Sequence, residues 1–183
     1  MKKERKYIQQ GNDMTCQLIT LLNFLIHKKG KSPIRYRSKE FNSIIRECTV
    51  TIGGAIYDIK PALKKLKLTM VKCPKFKSLK RFKNWIIKEL DKGNCVDFCF
   101  YHPRSNLHSV LIVNYDEYHE GFKVINSQMF TNETPIEYLS WEELTKRCYN
   151  NNPRMYPYYN KEEKTGLITK LVINETFSIK LKK

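Results

Sequence analysis

A chain of 183 residues with 41% hydrophobic content can bury one sizeable core but not several, so a single domain spanning residues 1–183 is expected. The charged start MKKERKYIQQ leads into no apolar stretch with a small-residue cleavage site, and the longest apolar run, Leu18 to Ile26, is interrupted by Thr20 and Asn23. Both features argue against a secretion signal or membrane span, so a soluble cytoplasmic protein is expected. The formal charge of +16 is concentrated in Lys60 to Lys88, which holds eleven basic residues and no acid. Such a field is either a solvated face or an attractor of nucleic acid or an acidic protein.

From Cys16, the apolar positions Leu18, Leu22 and Leu25 recur with helical spacing up to HKKG, where basic residues and Gly30 are stop signals. Asn12 or Asp13 is expected to cap this helix. A second helix is expected over SKEFNSIIREC with Ser38 as its cap, and Gly53-Gly54 permits a tight backbone excursion. YDIKPALKKLKL then reads as an amphipathic helix that turns Ile59, Leu63 and Leu66 inward, with Asp58 near its start. Lys77 to Asp91 gives another helix, closed by Gly93.

Beyond Gly93 the period changes. CVDFCFY, HSVLIVNYDE and GFKVINSQ are short runs rich in Val, Ile and aromatics, the last two joined by the turn-like YDEYHEG, so an antiparallel sheet with a hairpin is expected. SWEELTKRC opens with a capping box from Ser140 to Glu143, and GLITKLVI and TFSIKL read as late strands. Helices first and sheet second is an α+β plan. The six cysteines show no paired CxxC spacing and no histidine at zinc distance, so free thiols and no metal are expected.

Cys16 falls on the first turn of a helix, where unpaired N–H groups and the positive end of the macrodipole favour thiolate. Among the four histidines, His108 heads a strand, whereas His27 ends a helix and His102 and His119 fall in expected loops. A histidine acting as base needs a partner on its other ring nitrogen. If the hairpin sets Asn126 opposite Val110, Asn126 lies diagonal to His108 on the same face; a slip of one residue moves it to the other face. An oxyanion at the attacked carbonyl requires donors, which the Cys16 N–H and the Gln10 amide can supply, with Gln9 as the alternative.

At these residues the chain resembles papain-like cysteine peptidases, and most closely the bacteriocin-processing peptidases that cut after a double glycine, together with their stand-alone relatives. The family carries a Gln and, six positions later, a Cys at a helix start, as Gln10 and Cys16 do here. Its Gly-containing turn and amphipathic helix are matched by TIGGAIYDIKPALKKLKL, and its strands bearing the histidine and an acidic or amide residue by HSVLIVNYDE and FKVINS. The resemblance covers about residues 9–127. Thr15 and Gln17 stand where the family often has Asp and Gly, and Asn126-Ser127 where it often has Asp-Pro.

The resemblance implies a papain-like fold and a thiol hydrolase that cleaves a peptide or isopeptide bond without a cofactor. In it Cys16 is the nucleophile, His108 the base, Asn126 the orienting residue and Gln10 the oxyanion donor. Two other functions share the scaffold: acyl transfer through the same thioester, and an inactive peptidase fold that binds nucleic acid or an acidic partner through the Lys60–Lys88 segment.

Overall fold

The computed structural model describes residues 6–9, 15–48, 58–74, 78–102, 106–127, 135–147 and 176–182. The first helix, α1 (Cys16–Lys29), ends as expected at Gly30, whose left-handed backbone (φ 78°) lets its N–H reach Ile26 O at 2.8 Å. Every residue from Leu18 to Ile26 is buried, including Thr20 and Asn23. The stripe read from the sequence is thus only part of a helix enclosed on all sides, the signature of a core helix.

Ser38 starts α2 (Lys39–Cys48), its Oγ accepting from Phe41 N–H at 3.2 Å. Asp58 Oδ1 accepts from Lys60 N–H at 2.9 Å at the start of α3 (Lys60–Lys65), and Ile59, Leu63 and Leu66 point inward as expected. This helix is shorter than its amphipathic pattern suggests. Lys67 turns the chain with φ 55°, and Leu68–Lys72 continues as a strand, β1, that the sequence reading did not anticipate. Leu66, Leu68 and Met70 alternate, so the segment satisfies the strand period where it overlaps the helical one.

Ser78 caps α4 (Leu79–Asp91), accepting from Arg81 N–H at 3.3 Å, and Gly93 follows its end with φ 76°. The remaining elements are β2 (Cys95–His102), β3 (Asn106–Asp116), β4 (Gly121–Ile125), β5 (Ile136–Ser140), α5 (Trp141–Arg147) and β6 (Phe177–Leu181). The capping box forms as expected, with Ser140 Oγ accepting from Glu143 N–H at 3.2 Å and Glu143 Oε2 from Ser140 N–H at 2.7 Å. β5 was also unanticipated: only Leu139 of its five residues is buried, so pairing with β4 rather than its own pattern defines it. The expected strand GLITKLVI, the Gly53-Gly54 pair and the cap residues Asn12 and Asp13 lie outside the described residues.

One sheet in the order β1-β6-β2-β3-β4-β5, antiparallel throughout, has apolar side chains on both faces. Leu111, Val113, Ile125, Cys95 and Ile179 pack against α1 with Phe41 of α2 and Leu63 of α3. On the opposite face, Val96, Phe98, Val110, Ile112, Phe122 and Val124 meet Phe82 and Ile86 of α4 and Leu144 of α5. Antiparallel strands between helices make this an α+β protein. The basic segment is divided by this plan: Lys64 and Lys65 are exposed on α3, Lys72 on the edge strand β1, and Lys80, Arg81 and Lys88 on α4.

Glu89, buried at the C-terminal end of α4, joins the helix to the strand formed last in the chain. Its carboxylate accepts from Ser178 Oγ at 2.6 Å, Asn94 Nδ2 at 2.9 Å and Lys92 Nζ at 2.6 Å. Burial works to raise its pKa, but the bonds from Lys92, Ser178 and Asn94 outweigh burial and hold it below the ordinary value. Replacing Glu89 with Ala leaves the buried Ser178 hydroxyl without its acceptor and should cost about 1–3 kcal/mol in urea unfolding. Because the folded pKa is lowered, this stabilisation is complete above the unfolded value of about 4.3 and disappears as pH falls through the folded one. The gap between native and Glu89→Ala urea midpoints should therefore close in acid.

Candidate active site

Cys16 is the first residue of α1 and is half-buried. The residue before it, Thr15, has φ −122° and ψ 21° and makes no side-chain cap bond. Thr20, one turn further on the same helical face, donates from Oγ1 to Ser109 O at 3.4 Å, while the Ser109 N–H stands by the Cys16 sulfur and favours its thiolate. β4 ends its ladder with Ile125 opposite Leu111, so both polar backbone groups of Ser109 lie outside that ladder and are met by α1. Cys16 therefore reaches β3 at the peptide joining His108 to Ser109.

The electrostatics correct one expectation. The helix start was expected to lower the thiol pKa, yet burial of Cys16 is the largest influence and raises it. The N–H groups of Ser109, Gln17 and Cys16 itself pull it down, while the buried Asp97 on β2 pushes it further up. The net shift is upward, so the helix end moderates a desolvated thiol and does not create a free thiolate. Cys73 and Cys95 are also raised by burial, to about 12 and about 11 respectively.

His108 and Asn126, 18 residues apart, are brought together: His108 Nε2 lies 2.9 Å from Asn126 Oδ1, and both side chains are buried. Register explains the meeting. Near the turn Tyr115 stands opposite Phe122 and Asn114 opposite Lys123, but beyond Val113 the pairs are Ile112 with Val124 and Leu111 with Ile125. Val113 is a bulge, an extra residue on β3. Continuing the shifted register places Asn126 opposite Val110 and diagonal to His108, as the hairpin argument required. Without the bulge Asn126 would fall opposite Leu111, on the α1 face.

A third residue joins this row. Asn126 Nδ2 donates to Glu137 Oε1 at 2.7 Å, and β5 sets Glu137 opposite Val124, diagonal to Asn126 on the same face. Sequence reasoning missed Glu137 because nothing in TPIEYLS signals a strand beside β4.

Of the oxyanion candidates, Gln10 lies outside the described residues and Gln9 is exposed. The chain just before them is fixed by Asn23, buried on α1, whose Oδ1 accepts from Ile8 N–H at 2.7 Å and whose Nδ2 donates to Ile8 O at 3.0 Å. Sequence reasoning read Asn23 only as an interruption of an apolar run. The remaining histidines have other settings. His27 Nδ1 is 3.3 Å from Tyr7 Oη, His119 pairs with Asp116 at 2.8 Å in an exposed turn, and His102 ends β2 opposite Asn106 instead of lying in the expected loop. Among the described residues no three His, Cys, Asp or Glu side chains gather as a metal site, and no helix is long and apolar enough to cross a membrane.

The sequence matches no protein-family model, and no curated protein matches it. Its structure does have a solved counterpart. A candidate C39-like peptidase from Bacillus anthracis superposes with a TM-score of 0.51 at 14% sequence identity, over 79% of this chain and 88% of that one. Together with the helix and antiparallel-sheet arrangement, this likeness establishes an α+β chain with the fold of papain-like peptidases.

Proposed function

We propose that the chain is a papain-like cysteine peptidase that cleaves a peptide or isopeptide bond with Cys16 as nucleophile, His108 as base and Asn126 as the residue orienting His108. The observation that carries this reading is the buried His108–Asn126 hydrogen bond on a strand whose next peptide meets the Cys16 sulfur. With Nε2 engaged by Asn126, Nδ1 is the ring nitrogen assigned to the thiol proton. The fold shared with a candidate C39-like peptidase supports a peptidase-like scaffold for this reading.

In the proposed reaction the Cys16 Sγ–H proton passes to His108 Nδ1 as the sulfur attacks the substrate carbonyl, forming a carbon–sulfur bond and an oxyanion. The Cys16 N–H and the Gln10 side chain donate to that oxyanion. Collapse breaks the carbon–nitrogen bond, and the departing amine takes the proton from Nδ1. Water, deprotonated by His108, then attacks the thioester; the carbon–sulfur bond breaks, the acid product leaves, and His108 returns the proton to the sulfur. Because burial raises the thiol, Cys16 is assigned as resting in its thiol form, its proton leaving only as the sulfur attacks. No step requires a cofactor.

The test is a peptide mixture, including members with an internal Gly-Gly, incubated with the protein and read by mass spectrometry. New cleavage products should form with the native chain and vanish with Cys16→Ala and His108→Ala; products that persist in Cys16→Ala would defeat the proposal. Products formed only from the Gly-Gly members would extend the resemblance to leader-processing specificity, whereas ligation to an added amine would indicate acyl transfer.

Iodoacetamide provides a second test. With its pKa raised, an unassisted Cys16 thiol should be alkylated ever faster as pH climbs past the ordinary thiol range of about 8.5. In the native chain a component governed by an imidazole, titrating between about pH 5 and 8, should add to this rise. His108→Ala should remove that component and slow alkylation at pH 7 by about tenfold or more. Superimposable profiles for the two proteins would separate Cys16 from His108.

A further inference from the structure

We infer that Glu137 is a positioning residue that fixes the Asn126 amide and, through it, the tautomer of His108; this rests on the reading of Cys16 and His108 as the reacting pair. An asparagine is an ambiguous partner for a histidine, because its side chain presents an acceptor on one side and a donor on the other. Turned one way it selects the imidazole protonated on Nε2, and turned the other way it selects the ring protonated on Nδ1. Only the first leaves Nδ1 able to take a thiol proton.

Glu137 removes the ambiguity. A carboxylate only accepts, so at 2.7 Å its Oε1 requires the NH2 group of Asn126 to face it. The reversed amide would set two oxygen acceptors against each other at that distance. Asn126 Oδ1 is thereby turned toward His108 Nε2 at 2.9 Å, and that nitrogen must hold the proton. The row crosses three neighbouring strands, with Glu137 on β5, Asn126 just past β4 and His108 on β3, each diagonal to the next through the pairings Val124–Glu137 and Leu111–Ile125. Asn126 N–H also donates to Pro135 O at 2.7 Å, which holds the backbone of the middle residue against the segment leading into β5.

The arrangement places a carboxylate one residue beyond its place in a Cys-His-Asp triad. Asn126 is neutral and cannot by itself stabilise an imidazolium through charge, but an amide polarised by Glu137 passes on part of that effect. The relay has a specific consequence for substitution. In Asn126→Asp, the new carboxylate accepts from His108 Nε2–H unaided, and Glu137 becomes a like charge beside it. Glu137→Gln should therefore be harmful in the native background and neutral or beneficial when combined with Asn126→Asp.

The test uses the full chain, labelled with 15N, and four proteins: native, Glu137→Gln, Asn126→Asp and the double variant. Two-bond 1H–15N spectra near neutral pH report which ring nitrogen is protonated, with His108 assigned by the signals lost in His108→Gln. Native protein should show protonated Nε2 and unprotonated Nδ1. Glu137→Gln, nearly isosteric but able to donate as well as accept, should bring the two nitrogen shifts toward one another and slow Cys16 alkylation by iodoacetamide about fivefold to tenfold. In the Asn126→Asp background the same change should leave the rate equal or raise it.

Unchanged His108 shifts in Glu137→Gln, or an equal loss of rate in both backgrounds, would overturn the inference. Circular dichroism establishes that the variants fold, and recovery of rate in the double variant excludes a general structural loss. Should alkylation of Cys16 prove independent of His108, the peptidase reading fails, yet the ring-nitrogen spectra still decide whether Glu137 sets the tautomer.

Discussion

Between the turn at residues 117–120 and the middle of the sheet, β3 contains one residue more than β4 needs. Val113 absorbs it, and every pair beyond that point is displaced by one. Because side chains alternate between faces, a displacement of one residue exchanges the two faces of everything that follows. The exchange is what puts Asn126 beside His108 and not on the α1 face with Ile125. A short strand β5 then pairs with β4 and extends the row to Glu137. The geometry of these polar residues depends on a local irregularity that the surrounding apolar pairs hold in place, since Leu111, Ile112, Val124 and Ile125 are all buried within a few percent of fully.

α1 holds Cys16, the proposed nucleophile, under an opposing constraint. A helix with nine successive buried residues is held firmly and presents its first turn at a fixed place, but the packing around Cys16 itself takes water from the sulfur. Desolvation then outweighs the helix-end N–H groups and the Ser109 peptide, and Asp97 adds negative charge nearby. A sulfur held this way keeps its proton more readily than an exposed thiol does. Thr20 and Asn23 reconcile the buried helix with its polar neighbours: one bonds the Ser109 carbonyl, the other both backbone groups of Ile8. These are the two residues that interrupt the apolar run in the sequence.

The charge excess has a structural counterpart in the course of the chain around the β1 edge. α3 packs on one side of the sheet and α4 on the other, with β1 between them at the margin, so Lys64, Lys65, Lys72, Lys80, Arg81 and Lys88 are exposed on different parts of the surface. Lysine along an exposed edge discourages pairing with another chain, as at Lys72. Lys83 uses its charge locally, with Nζ 5.3 Å from the ring centre of Tyr115.

Several features were legible in the sequence because they are local. Helical spacing and Gly30 defined α1, Ser38 and Ser140 marked the starts of α2 and α5, and runs rich in Val, Ile and aromatics marked β2, β3 and β4. The order Gln10, Cys16, His108, Asn126 was visible together with the register that would unite its last two members, and the α+β fold followed from the change of period. What neighbours decide was not legible. β1 and β5 have weak patterns and exist through their partners, and β6, from the end of the chain, enters between β1 and β2. The upward shift of the Cys16 thiol depends on desolvation by residues distant in sequence, and the role of Glu137 depends on a strand pairing that its own segment does not announce. Local backbone preference and periodicity are written residue by residue, whereas burial, register and the orientation of an amide are properties of surroundings that exist only after the chain has folded.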